Sequence, residues 1–242
     1  MWGETMTGDV PGPADRIAPA AVVFDLDGVL IESEHLWEEM WTRYAARSGV
    51  TWTAEDTGHV QGMSAPEWAD HLARRAGNGD AAEAERAVVD DMVEALEQGR
   101  MEPYDGAVVM VREVAERVPI ALATSAARRL LDAVLARHRL DTTFTATVSS
   151  AEVPRGKPSP DVYLEAAGRL GVDPADCVGV EDSSNGIRAA HAAGMTVVAI
   201  PNPTYPPKPD AMELTTRVAD GVPAAHREIL ALLDGVPTGA AR

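Results

Sequence analysis

Cysteine is nearly absent from this 242-residue chain: Cys177 stands alone, so no internal disulfide can form, and the residue reads as a small buried apolar side chain. Basic charge is also short. Lys and Arg total 21 against 38 Asp and Glu, a formal net charge of −17. Such a balance repels a nucleic-acid backbone and an anionic membrane on average and leaves small polar ligands as the better partners. Lysine is scarcer still, with Lys157 and Lys208 against 19 arginines. A position that keeps Lys is therefore expected to need a compact point charge that can approach another charge closely. No apolar run reaches about 18 residues, and no signal-peptide pattern follows the first basic residue, Arg16, so no membrane association is expected and a cytoplasmic protein is the default. The histidines, among them His35, His59 and His71, lack H-E-x-x-H or comparable spacing, and no zinc is expected. The G-x-G-x-x-G and G-x-x-x-x-G-K-[ST] phrases are missing too, which sets aside dinucleotide and P-loop readings.

What is present suits a protein with a sizeable core: 45% of residues are hydrophobic and 24% charged. Residues 1–18, rich in Gly, Pro and Thr, show no period and read as a mobile leader. Ala20 to Asp27 (AAVVFDLD) is a β-branched and aromatic run ended by Gly28, the pattern of a buried strand. Ser33 to Arg47 then places Leu36, Met40, Trp41 and Tyr44 at helical spacing, with Ser33 as N-cap and Trp37, Met40, Trp41 and Tyr44 read mainly as helix core. A glycine-punctuated loop, His59 to Ser64 (HVQGMS), precedes helices expected near Pro66 to Ala76 and Ala81 to Gln98. From Pro119 onward strands alternate with helices, which implies a parallel sheet covered on both faces. The expected organisation is an α/β core from 19–32 and 103–234, a helical insertion over 33–102, and a loose tail over 235–242.

In a doubly wound sheet, ligands bind beyond the carboxyl ends of the strands, so the informative residues are those closing each strand. The first ends in Asp25-Leu26-Asp27-Gly28, the second in Thr124-Ser125, and the fourth in Glu181-Asp182, while Lys157 follows the third in GKPSPD. Each phrase alone also suits a turn or a helix cap. Together they bring four acids to one edge. Such crowding requires a cation, and hard oxygen ligands suit Mg²⁺.

FDLDGVL, LATS, GKPSPDVY and GVEDSSNGIRAAHAAGM, in this order, resemble the four motifs of the haloacid dehalogenase superfamily. The insertion after the first strand resembles the helical type 1 cap of its phosphatase and β-phosphoglucomutase branch. The resemblance implies a Rossmann-like core with an inserted all-helical cap domain. It further implies that Asp25 attacks phosphorus and that Asp27 protonates the leaving alcohol and later activates water. Mg²⁺ would be held by Asp25, the Asp27 backbone carbonyl and Asp182, with Glu181 acting through a bound water. Thr124, helped by backbone N–H groups near Ser125, would bind the phosphoryl oxygens, and Lys157 would pair with both Asp25 and the phosphate.

The resemblance also orders the activities. Dehalogenases of this superfamily lack the second acid, so DLDG favours phosphoryl transfer. A β-phosphoglucomutase-like mutase is the alternative, but its pattern has a His where Trp37 stands and a cap-loop Arg where Ala65 stands. ESEHLW resembles bacterial sugar and polyol phosphate phosphatases, so the expected activity is a Mg²⁺-dependent phosphatase for a small phosphorylated sugar, polyol or hydroxy acid. His35, Trp37, Gln61 and Ser64 are the candidates for facing the cleft and choosing the leaving group. A protein that binds a phosphorylated ligand or a partner without turnover is the non-enzymatic alternative, and both monomer and homodimer stay open.

Overall fold

The computed structural model of the protein describes residues 18–77 and 79–236. Nearly all of the expected leader and most of the expected tail lie outside the described residues. Six strands, β1 (Ala21–Phe24), β2 (Ile120–Thr124), β3 (Ala146–Ser149), β4 (Cys177–Glu181), β5 (Thr196–Ala199) and β6 (Arg217–Val218), form one sheet in the order β3-β2-β1-β4-β5-β6. Every pairing is parallel. Alternate residues of the same strands enter two separate apolar clusters: Val22, Phe24, Leu122 and Val180 on one face, Val23, Ala121, Ala123 and Val197 on the other. Burial on both faces explains why these strands read as continuous apolar runs.

Helices cover both faces. On the first lie α5 (Ala107–Ala115), α6 (Arg128–His138) and α10 (Val222–Leu233), through residues such as Met110, Leu131 and Ile229. On the second lie α7 (Asp161–Leu170), α8 (Ser184–Ala192) and the single turn α9 (Pro209–Met212), through Tyr163, Ile187 and Ala211. Between β1 and α5 the chain forms α1 (Glu34–Arg47), α2 (Ala54–Val60), α3 (Ala65–Ala76) and α4 (Ala81–Glu97). Trp37, Trp41, Trp52 and Trp68 meet among α1, α3 and the segment before α2, with ring centroids 5.7 Å (Trp37–Trp41), 5.8 Å (Trp37–Trp68) and 6.0 Å (Trp41–Trp52) apart. No described helix is long and apolar enough to cross a membrane.

The sequence expectation does not include α2, α5, α9 or β6, and for α2 and β6 the reason is local. The chain before His59 is helical, because Thr53 and Asp56 form a reciprocal capping box that starts α2 without any apolar stripe. β6 has two residues, too few to show a period, and pairs with β5 only through Val198–Arg217 and Ala199–Val218.

Since β1 continues to β2 on one side and meets β4 on the other, the strand order reverses beside β1, and a crevice opens at the carboxyl ends of these strands. The helices α1 and α3 and the loop after α2 stand over it.

Candidate active site

The register sets the first carboxylates side by side. Phe24 pairs with Val180, and the Asp25 amide donates to the Val180 carbonyl at 3.0 Å, so Asp25 and Glu181 leave adjacent strands at the same level. Asp182 follows immediately. Oxygens of Asp25, Glu181 and Asp182, all buried, lie within 4.8 Å of one another. Two glycines make this approach possible. A methyl group on Gly28 would stand 2.0 Å from Asp182 Oδ2, and its φ of +75° already disfavours a side chain; one on Gly186 would stand 1.8 Å from the Glu181 carboxylate carbon.

Lys157 reaches this cluster from the loop before α7. Its Nζ donates to Asp25 Oδ1 at 2.8 Å and to Glu181 Oε1 at 2.6 Å, with 2% of the residue exposed. Lys157 Nζ also sits 5.2 Å from the centre of the Tyr163 ring, whose hydroxyl donates to Glu181 Oε1 at 2.7 Å. Glu181 further accepts the backbone N–H groups of Asp182 and Ser183 and the Ser183 hydroxyl. These bonds fix Glu181 as the holder of Lys157. Lys208, by contrast, is exposed.

Asp27 is treated differently. Ser33 Oγ and Trp37 Nε1 (2.9 Å) both donate to its Oδ1, leaving Oδ2 unengaged by them. Ser33 does stand at the start of α1, but its side chain makes no capping bond there, a correction to its reading as a helix cap.

Burial pushes Asp25 up to about 8 despite the attraction of Lys157, with the charges of Glu181 and Asp27 adding to the rise. Burial likewise raises Asp27, against the two donors on its Oδ1, and lifts Asp182 well above the carboxylate range, helped by Glu34, Glu181 and Asp25. For Lys157 burial favours the neutral amine, but Asp25 and Glu181 outweigh it and hold the ammonium form. One ammonium cannot balance Asp25, Asp27, Glu181 and Asp182 once these acids are ionised. A donor set of buried carboxylate oxygens therefore fits a hard divalent cation such as Mg²⁺.

The cluster forms the floor of a chamber under the helices, a small cavity of about 60 Å³. Asp25, Asp27, Ser125, Lys157 and Asp182 line it from below; Glu34, Trp37, Trp41, Gln61, Met63 and Trp68 line it from the helical side. Two polar contacts join the loop after α2 to the core: Ser125 Oγ donates to the Gly62 carbonyl at 3.3 Å, and Asn185 Nδ2 to the Gln61 carbonyl at 3.2 Å.

Of the four specificity candidates, Trp37 and Gln61 face the chamber and two do not. His35 lies exposed on the outer side of α1, because helical periodicity turns it away from Trp37 and Glu34. Ser64 is buried in the capping box of α3 with Glu67 and does not reach the chamber. Thr124 is fully buried beneath Ser125, accepting the Ala126 N–H at 3.0 Å, and is not a wall residue. Sequence reasoning missed Ser33 as a partner of Asp27, Glu34, Trp68, Tyr163, and Asn202, whose Nδ2 lies 3.4 Å from Asp182 Oδ2. Asn202 follows β5, so the strand-end rule extended to the fifth strand would have found it. Tyr163 lies in the quoted GKPSPDVY phrase.

Comparison with known proteins agrees with this geometry. The family description of haloacid dehalogenase-like hydrolases matches residues 19–194. Hexitol phosphatase B of Escherichia coli (strain K12) is 34% identical over 191 residues, covering 76% of this chain and 84% of that protein. The bifunctional riboflavin kinase/FMN phosphatase of Arabidopsis thaliana is 31% identical over 185 residues, 76% of this chain. The match spans about half of that plant protein's length, 48%. Among solved structures, CbbY from Rhodobacter sphaeroides in complex with phosphate superposes with a TM-score of 0.76 at 28% identity, covering 89% of this chain and 99% of that one. With the family description spanning both the first-strand aspartates and the Glu181-Asp182 pair, the chain belongs to the haloacid dehalogenase-like hydrolases.

Proposed function

We propose that this protein is a Mg²⁺-dependent phosphatase that hydrolyses small phosphate monoesters of sugars, polyols or hydroxy acids through an aspartyl-phosphate on Asp25. The observation that carries this reading is the Asp25 carboxylate at the floor of the chamber beneath the helices, hydrogen-bonded to Lys157 at 2.8 Å and grouped with Asp182. Phosphate monoesters resist attack because the nucleophile must approach a dianion. An oriented carboxylate beside an ammonium meets that difficulty.

An oxygen of Asp25 forms the bond to phosphorus while the bond from phosphorus to the ester oxygen breaks. Asp27, whose carboxyl is raised by burial, gives its proton to the departing alkoxide. Water then attacks phosphorus, its proton passes to Asp27, and the Asp25 carboxylate is released with inorganic phosphate. Lys157 orients Asp25 and offsets charge on the phosphoryl oxygens; Ser125 and nearby backbone N–H groups supply donors. Asp25, the Asp27 carbonyl and Asp182 would hold Mg²⁺, with Glu181 anchoring Lys157, and the bound cation would neutralise phosphoryl charge. Within this reading α1–α4 act as the cap over the core, and the hexitol phosphatase and CbbY relatives favour a small phosphorylated substrate.

The test is phosphate release from a panel of monoesters with Mg²⁺ or EDTA, for wild type and Asp25→Asn. Metal-dependent release lost in the variant supports the proposal. A retained rate above about one tenth of wild type would remove Asp25 as nucleophile. Isomerisation of β-glucose 1-phosphate without release would make the protein a mutase, and binding without turnover a phospholigand-binding protein.

A further inference from the structure

Charge is distributed unevenly over the chamber. Among the described residues that line it, Lys157 is the one basic side chain, and it is already bonded to Asp25 and Glu181 on the floor. The helical side has no Arg, Lys or His. It holds Glu34, whose carboxylate accepts the Gln61 side-chain amide at 3.3 Å, and the same wall carries Trp37, Trp41 and Trp68.

We infer that the chamber selects esters whose leaving alcohol is uncharged and polyhydroxylated, with Glu34 as the side chain that turns away a second anionic group. This rests on the phosphatase reading above and narrows it. The transferring phosphate is served by Lys157 at the floor, but a carboxylate or second phosphate on the leaving alcohol would meet Glu34 on the helical side with no cation there to offset it. The indole faces act in the same sense. An aromatic face carries partial negative charge, so it accepts the C–H side of a sugar or polyol and disfavours an anion. Hydroxyl groups, in turn, can both donate to Glu34 and accept from the Gln61 amide. Bisphosphates and small hydroxy-acid phosphates are thereby the poor substrates, which also counts against mutase chemistry.

Initial rates with Mg²⁺ at about pH 8.5, above the value of about 7 to which burial lifts Glu34, are compared for sorbitol 6-phosphate, phosphoglycolate, fructose 1,6-bisphosphate and p-nitrophenyl phosphate, using wild type, Glu34→Gln and Glu34→Lys. In wild type, kcat/KM for sorbitol 6-phosphate is expected to exceed that for the two anionic esters by about 100-fold or more. Glu34→Gln should narrow the gap about tenfold, and Glu34→Lys further. The wild-type comparison needs no variant, so a misfolded substitution does not protect the inference. Phosphate release in which either anionic ester comes within about threefold of sorbitol 6-phosphate overturns this inference alone, as does a ratio unmoved in folded Glu34 variants. No release from any ester, p-nitrophenyl phosphate included, overturns the phosphatase reading and this one with it.

Discussion

The indole N–H of Trp37 donates to Asp27 Oδ1 at 2.9 Å, so a residue of the first helix over the site holds the acid at the end of the first strand. Indole has a donor and no acceptor. Trp37 can therefore fix the carboxyl and favour its ionised form, but it cannot exchange a proton with it. Replacing it with Phe keeps a ring beside Trp41 and Trp68 and removes only the donor. Trp37→Phe is expected to lower kcat about tenfold with little change in KM for a small ester. Because this bond lowers the Asp27 pKa, its loss raises it, and the pH profile of kcat should move to higher pH. An unmoved profile would show that the bond does not tune Asp27.

Lys157 is one of two lysines in an arginine-rich chain, and its environment explains why Arg does not stand there. Its ammonium touches Asp25, Glu181 and the face of Tyr163 with almost no exposed surface. A planar guanidinium is larger and cannot occupy that point. Lys157→Arg should reduce phosphate release about 100-fold or more; near-normal rates would contradict this steric account.

Gly186 lets α8 start against Glu181. Adding one methyl at 1.8 Å from that carboxylate carbon forces Glu181 aside and with it Lys157. Gly186→Ala is expected to cost about 1–3 kcal/mol of stability in urea denaturation and to lose most activity. Wild-type behaviour in both measurements would mean that the helix can shift without moving Lys157.

Without metal, the raised carboxyls make stability depend on pH. Asp25 and Glu34 are pushed up to about 8 and about 7, chiefly by burial, so the folded protein holds protons there that the unfolded chain has released. Stability from these groups is complete below their ordinary pKa values near 4 and is lost as pH rises through about 7 and 8. Asp56, Glu39 and Glu152, held low in the fold, act oppositely, but they are ionised in both states well before pH reaches 6. The melting temperature in EDTA should therefore fall between about pH 6 and pH 9, and Mg²⁺ should restore it. Asp182→Asn should blunt the response to Mg²⁺. A Tm that is flat in pH and unaffected by the ion would count against a charge-strained cation site.

Strand ends and glycines made the floor of the site legible. Asp25, Asp27, Lys157, Glu181 and Asp182 lie far apart in sequence, yet each follows or closes an apolar run, and a parallel sheet brings such ends to one edge. Trp37 was harder, since an apolar stripe is satisfied by core packing alone; that its polar edge meets Asp27 depends on how α1 leaves the sheet. Likewise, position after the first strand put His35 and Trp37 on equal footing, and helical rotation separates them, exposing one and enclosing the other.

The sequence by itself determined the alternation of strands and helices, the family resemblance, and the identity of the acids and the lysine, because hydrophobic periodicity and strand-end chemistry are local properties. Only the tertiary structure decided that Glu181 holds Lys157, that Ser33 serves Asp27, that Thr124 is buried beneath Ser125, and that the helical wall carries Glu34 without a cation. Those outcomes follow from which side chains meet across distant elements, which register, helix rotation and close packing fix after the chain has folded.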